Sequence, residues 1–134
     1  MRYDASEFVG REDELAELAR RREAGARLIT ITGRPGVGKS WLARELLERE
    51  APHDLQLTIC SEDPDPAVLR GCLSWEEDEV PRLVVIDNAD PVVSELARWL
   101  PRLLSDHPDL VVIVTSRRAL GIREESRLVI TDRE

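Results

Sequence analysis

Residues Gly33–Ser40 read GRPGVGKS, which fits the pattern G-x-x-x-x-G-K-[ST] at every fixed position. The three glycines allow the backbone to adopt positive φ and to approach a bound anion closely. Its N–H groups can then point inward as an anion nest, at the positive end of a following helix. Lys39 is expected to reach the β- and γ-phosphates of a nucleotide, and the Ser40 hydroxyl to bind Mg²⁺.

Both flanks of this stretch support the same interpretation. Leu28–Thr32 (LITIT) is rich in β-branched residues and predicts a buried strand. Leucine and alanine then recur at helical spacing after Ser40, which predicts a helix. A chance glycine-rich turn would not require these flanks, so the stretch is interpreted as a P-loop. The loop residues expected to bind the nucleotide are Gly33, Pro35, Gly36, Val37, Gly38, Lys39, Ser40 and Trp41.

The composition limits the partners of the chain. Its 134 residues predict a single domain, with a lead-in over residues 1–12 and a core over 27–134. The net charge of −8 argues against nonspecific binding to nucleic acid or to an anionic membrane. The run Arg20–Arg22 is interpreted as a solvated helix face. With no apolar signal region, no membrane span and only two cysteines, the chain is expected to be cytoplasmic, with both cysteines as thiols.

The order of predicted elements indicates an α/β fold. Apolar strands alternate with helices, which is typical of a parallel sheet covered on both faces. We expect a three-layer sandwich with a parallel five-stranded sheet of the P-loop NTPase (RecA/ASCE-like) type. The predicted strands are Leu28–Thr32, Leu55–Cys60, Leu83–Asp87, Leu110–Val114 and Leu128–Ile130.

Several helix positions are also predicted. A first helix opens near Gly10 and ends at Gly25. Asp65 is expected to cap a short helix that buries Val68, Leu69 and Leu73. A longer helix is expected over Pro91–Leu104, and the acidic run Glu76–Glu79 is expected to be a solvated loop.

A carboxylate follows four apolar residues at the end of the third predicted strand. Ligands of open α/β sheets bind at the carboxyl ends of strands, so Asp87 is expected to be the second Mg²⁺ ligand beside Ser40. This is the Walker B pattern. Asn88 stands where many P-loop ATPases have Glu; an amide orients water but does not accept its proton, so fast hydrolysis is not implied. Asp90 is expected either to cap the helix at Pro91, the favoured role, or to substitute as the base.

Arg117 follows the apolar strand that ends at Val114. If this strand lies between the strands of the P-loop and Asp87, Arg117 faces the γ-phosphate, and its guanidinium can pair with the phosphate oxygens. The alternative is an arginine in a surface loop.

Four motifs resemble the nucleotide-binding core of STAND-class signal-transduction ATPases, such as the NB-ARC and LuxR-type regulators, and they occur in the same order as in that family. They are Phe8–Glu12 (FVGRE), GRPGVGKS followed by Trp41-Leu42-Ala43, Leu83–Asp90 (LVVIDNAD) and Val112–Arg117 (VIVTSR). The resemblance covers about Phe8 to Arg117. It implies that Val9, Gly10 and Arg11 lie against the adenine and that Arg117 senses the γ-phosphate.

The chain also departs from this family. STAND proteins continue into a helical lid, a winged-helix domain and an effector region, whereas this chain stops near its fifth strand. Trp41 stands where a small hydroxyl residue is common. A protein partner, or lid and effector domains outside this chain, is therefore expected to complete the site.

The function expected from these residues is an ATP/ADP–Mg²⁺ binding switch core, at most a weak ATPase. The residues expected to act on the nucleotide are Lys39, Asp87, Asn88 and Arg117. The alternative is a noncatalytic interaction domain that keeps the P-loop NTPase fold. The sequence contains neither the N-K-x-D of GTPases nor the LSGGQ of ABC ATPases.

Overall fold

The computed structural model describes residues 11–33, 42, 45, 55–59 and 65–130 of the chain. For residues 11, 12 and 55–59 it describes the backbone only. The helices are α1 (Arg11–Glu23), α2 (Pro66–Cys72) and α3 (Val93–Asp106), with single 3₁₀ turns at Glu77–Glu79 and Asp90–Val92. The strands are β1 (Leu28–Thr32), β2 (Leu55–Ile59), β3 (Leu83–Asp87), β4 (Val111–Ser116) and β5 (Glu125–Val129).

The described strands form one sheet in the order β2-β3-β4-β1-β5, and every neighbouring pair is parallel. The expectation of an α/β fold with a parallel sheet is confirmed. The fourth strand in the sequence lies between β3 and β1, as the interpretation of Arg117 required. All of β1 and β3, and most of β4, is buried, which is why these strands are apolar throughout rather than alternating.

Successive apolar residues of β1, β3 and β4 divide between two hydrophobic clusters, because strand side chains point alternately to opposite faces. One cluster joins Leu28, Val84 and Val112 to α2 and α3. The other joins Ile29, Val85 and Ile113 to α1 and to the helical residue Leu42. Helices therefore pack on both faces of the sheet.

Three corrections apply to the predictions about the described helices, whereas the helix predicted after Ser40 lies outside the described residues apart from 42 and 45. Asp65 caps α2 by accepting a hydrogen bond from the backbone N–H of Ala67 (2.9 Å). Of the three apolar residues expected to be buried there, Leu69 and Leu73 are, but Val68 is 64% exposed. Val68 precedes Leu69 by one residue, a rotation of about 100° that turns it away from the sheet. The acidic run is exposed as predicted, although Glu77–Glu79 form a 3₁₀ turn rather than a loop.

The third correction concerns the arginine run of α1. Arg21 is half-buried, and its guanidinium donates to Ser126 Oγ (3.3 Å) and to the Arg127 carbonyl (2.5 Å), so it joins α1 to β5. Gly25 ends the helix as expected, at φ 96°. The backbone N–H groups of Gly25 and Ala26 bond back to the carbonyls of the last turn, which is a glycine C-cap.

Element ends differ from the predictions by a few residues. The helix predicted over Pro91–Leu104 begins as the 3₁₀ turn Asp90–Val92 and continues to Asp106. β4 extends two residues past Val114, and β5 begins at Glu125 rather than Leu128. The ends of the strands are set by hydrogen bonding to a neighbouring strand, which cannot be predicted from an apolar run of sequence. No helix in the described part of the chain is long and apolar enough to cross a membrane.

Candidate functional site

Three strand ends meet at the carboxyl edge of the sheet. Thr32 at the end of β1 pairs with Ser116 of β4, so Gly33 and Arg117 leave neighbouring strands side by side. On the other side of β4, Ile86 pairs with Val114, which brings Asp87 beside Thr115. The fold thus gathers the first residue of the P-loop motif, Asp87 and Arg117 at one edge, where ligands of open α/β sheets bind.

Asp87 is a buried carboxylate with a fixed orientation. It is only 6% exposed, at the end of a strand that is otherwise wholly apolar. The Thr115 hydroxyl donates a hydrogen bond to Asp87 Oδ1 (2.5 Å). Such a bond to a carboxylate is short and strong, so it holds the side chain in one orientation.

Thr115 also holds the turn that follows β3. Its hydroxyl oxygen accepts a hydrogen bond from the backbone N–H of Asn88 (2.8 Å), and its carbonyl accepts one from Ala89 (2.8 Å). One residue of β4 therefore contacts three consecutive residues of the Walker B segment. Sequence reasoning missed this role, although a threonine directly after the apolar run of β4 was a visible signal.

Asn88 adopts the left-handed backbone conformation, with φ 61°. Asparagine tolerates this conformation better than most residues other than glycine. The turn directs the Asn88 side chain to the surface, where it is exposed, while Asp87 before it and Ala89 after it are buried. Its amide is therefore accessible from solvent beside the buried carboxylate.

Asp90 does not have the capping role that the sequence suggested. The N-cap of the 3₁₀ turn is Ala89, and no side chain caps it. Asp90 Oδ1 instead accepts a hydrogen bond from the backbone N–H of Arg117 (2.7 Å) across the edge of the sheet. The capping prediction failed because it considered only the helix next in sequence and not the neighbouring strand end.

Arg117 lies at the predicted edge, and its side chain is 64% exposed. Its Nε is 3.5 Å from Asp90 Oδ1, a long ion-pair distance. The guanidinium therefore stays largely in solvent, and a phosphate group at this edge would be accessible to it.

Most of the other predicted site residues lie outside the described residues, so their roles remain predictions. Gly33 directly follows β1, and the backbone of Arg11 begins α1. The predicted residues outside the described part are Val9, Gly10, Pro35, Gly36, Val37, Gly38, Lys39, Ser40 and Trp41.

The chemistry of Asp87 suits a magnesium ion. A carboxylate is the hard oxygen ligand that Mg²⁺ prefers, and Mg²⁺ in nucleotide sites uses one or two protein ligands plus phosphate oxygens. Among the described residues, no group of three or more His, Cys, Asp or Glu could hold a metal ion by itself.

Comparisons with known proteins agree with this geometry. Residues 7–67 match the AAA ATPase domain family, and this span includes β1 and the whole P-loop motif. The match supports a P-loop ATPase core. Nucleotide binding is the function that such a domain suggests.

Two mycobacterial proteins can be aligned with most of the chain. The uncharacterized proteins Rv0894 of Mycobacterium tuberculosis and Mb0918 of Mycobacterium bovis are each 28% identical over 148 residues. The alignment covers 92% of this chain but 37% of each relative. The chain therefore spans little more than a third of the length of these curated relatives.

Proposed function

We propose that this chain is an ATP/ADP–Mg²⁺ binding core that acts as a signalling switch, with slow or absent hydrolysis. The observation that carries the proposal is the position of β4 between β1 and β3. This order brings the first residue of the P-loop motif, the buried carboxylate of Asp87 and the exposed guanidinium of Arg117 to one edge of the sheet. A site with these groups can bind the inner phosphates, the cation and the terminal phosphate separately.

In this proposal Lys39 and Ser40 contact the phosphates and Mg²⁺, and Asp87 is the protein carboxylate of the ion. Thr115 holds that carboxylate in one orientation by the 2.5 Å hydrogen bond to Oδ1. Orienting the ligand before the ion binds lowers the entropic cost of binding.

Slow hydrolysis follows from the exposed amide of Asn88. It can orient a water molecule, but it cannot accept a proton at neutral pH, unlike a carboxylate. Asp90 could supply a carboxylate, but its Oδ1 already accepts the Arg117 N–H. A site that has an amide after its Walker B carboxylate, and that retains its nucleotide, suits a switch better than a rapid enzyme.

The proposal extends to the class, the architecture, the partners and the location of the protein. Four motifs in STAND order support STAND-class membership, and helices on both faces support a three-layer sandwich of the RecA/ASCE-like type. We further propose that lid or effector domains, or a protein partner, complete the site. The greater length of the mycobacterial relatives is compatible with additional domains. A cytoplasmic location, without nucleic-acid or membrane partners, rests on the net charge of −8 and the sequence alone.

Calorimetric titration tests the proposal directly. ATP and ADP should bind the folded protein, more tightly with Mg²⁺ than without, and GTP should bind more weakly. Lys39→Ala should weaken ATP binding by about 1.5–3 kcal/mol, because it removes a charge-assisted contact. Absence of binding to correctly folded protein would instead support the alternative, an interaction domain that keeps the fold without the ligand.

A further inference from the structure

One carboxylate oxygen makes both contacts between Asp90 and Arg117. Asp90 Oδ1 accepts the backbone N–H of Arg117 at 2.7 Å and lies 3.5 Å from its Nε. The first contact is a short hydrogen bond between a carboxylate and a backbone group. The second is a loose ion pair between a side chain that is 21% exposed and one that is 64% exposed.

The backbone on both sides of this contact is held in place. Thr115 binds the segment before Asp90 through Asn88 and Ala89. On the other strand, the Ser116 hydroxyl donates to the carbonyl of Arg118, which closes the turn around Arg117. The backbone contact is therefore fixed by the fold, whereas the guanidinium can leave the carboxylate without disturbing it.

From this geometry we infer that Asp90 is a positioning residue that restrains Arg117 when no terminal phosphate is present, and so sets the preference of the site for ATP over ADP. The inference rests on the proposed function. A γ-phosphate at this edge competes with the Asp90 carboxylate for the same guanidinium. The terminal phosphate must displace or share the ion pair, whereas ADP leaves it intact, so the pair weakens ATP binding alone.

The size of this effect follows from the exposure of the pair. Exposed ion pairs contribute little, so removing the Asp90 charge should tighten ATP binding about two- to fivefold. The expected change is small, but a ratio of dissociation constants measured on one preparation resolves it.

Asp90→Asn is the appropriate variant because it removes the charge and keeps an Oδ1 acceptor for the Arg117 N–H. Urea unfolding should show wild-type stability for this variant. Titration with ATP and with ADP, both with Mg²⁺, should show tighter ATP binding and unchanged ADP binding. The matched control is Asp109→Asn, the same change in charge at an exposed residue in the turn before β4, at the opposite edge of the sheet. It should leave both affinities unchanged.

A double variant distinguishes restraint of Arg117 by Asp90 from simple repulsion between the Asp90 carboxylate and the phosphates of the nucleotide. In an Arg117→Ala background, Asp90→Asn should no longer alter the ratio of the two affinities, because the guanidinium that it restrains is absent. An equal gain for ATP and ADP, or a gain that persists without Arg117, would overturn the inference in favour of simple charge repulsion. An unchanged ratio in Asp90→Asn would overturn it as well.

The wild-type titration distinguishes failure of the inference from failure of the proposed function. If folded wild-type protein binds neither nucleotide, the proposed function and the restraint are both wrong. If it binds both and only the variant ratios are unaltered, the binding function stands and the role of Asp90 is refuted.

Discussion

The Thr115 hydroxyl donates to Asp87 Oδ1 and accepts from the backbone N–H of Asn88. The carboxylate of Asp87 and the backbone N–H of Asn88, 28 and 27 residues earlier in the chain, therefore both depend on one side chain of the neighbouring strand. The threonine orients the expected magnesium ligand and fixes the turn that follows it. The conformation of the Walker B segment is thus stabilised by β4 as well as by β3.

Thr115→Val should destabilise the protein and weaken Mg²⁺-dependent nucleotide binding. The change is nearly isosteric, but it leaves a buried carboxylate oxygen and a backbone N–H without their partner, at a cost of about 1–3 kcal/mol. Urea unfolding measures the first effect and titration of ATP with and without Mg²⁺ the second. Thr115→Ser, which keeps the hydroxyl, is the control. If valine and serine variants behave alike, the hydroxyl has neither role.

Arg117→Ala should lower the affinity for ATP and leave that for ADP nearly unchanged. The guanidinium is exposed beside the end of β1, so it gains a phosphate partner only when the γ-phosphate is present. The measurement is the ratio of the two dissociation constants, with Arg118→Ala as a control at the exposed neighbouring arginine. Equal losses for the two nucleotides would show that Arg117 contacts the inner phosphates or supports the fold.

Hydrolysis by wild-type protein should be well below the roughly 10 s⁻¹ median of enzymes. The exposed amide of Asn88 replaces a general base, and Asn88→Glu should therefore raise the steady-state rate of phosphate release. The left-handed backbone at this position disfavours Glu by about 1 kcal/mol, so stability must be measured in parallel. Asn88→Gln, which carries no carboxylate, should not raise the rate. Turnover of several per second by wild type would refute the argument.

Acid should loosen the contact between α1 and β5. Hydrogen bonds from Arg20 and then Arg21 hold the pKa of the Glu17 carboxyl below its usual value. A carboxyl with a lowered pKa in the folded state contributes stability above its unfolded pKa, and that contribution disappears as the pH falls through the folded value. Glu17→Gln should therefore be less stable than wild type at pH 7, and the difference should shrink as the pH falls below the ordinary pKa of a glutamate and then through the lowered folded value.

Urea midpoints measured from pH 7 to pH 3 test this expectation. Glu17 also holds the Arg21 guanidinium by a 3.0 Å contact, and Arg21 in turn binds the β5 backbone. Glu23→Gln provides a control, since Glu23 is an exposed carboxyl on the same helix. A Glu17→Gln deficit that is equally large at pH 3 would assign the effect to side-chain packing rather than to charge.

Local pattern was sufficient to predict the main elements of the fold. An apolar run that ends in Asp87 predicts a buried strand with a carboxylate at its carboxyl end, and the structure contains that strand. The pair Asp65-Pro66 likewise predicts the start of α2, because capping depends on residues only two or three positions apart. Val68 shows the limit of this reasoning, since an apolar residue beside buried neighbours can still face solvent.

The sequence by itself determined which residues are expected to carry the phosphate and cation chemistry, because those residue types and their spacing are local properties of the chain. Only the tertiary structure decided how the described ones meet. The parallel order brings Thr115 to Asp87 and Asp90 to Arg117, across 28 and 27 residues of chain respectively. Such contacts depend on which strands are neighbours and in what register. The pairing of the strands along the whole sheet sets that arrangement, which no short stretch of sequence specifies.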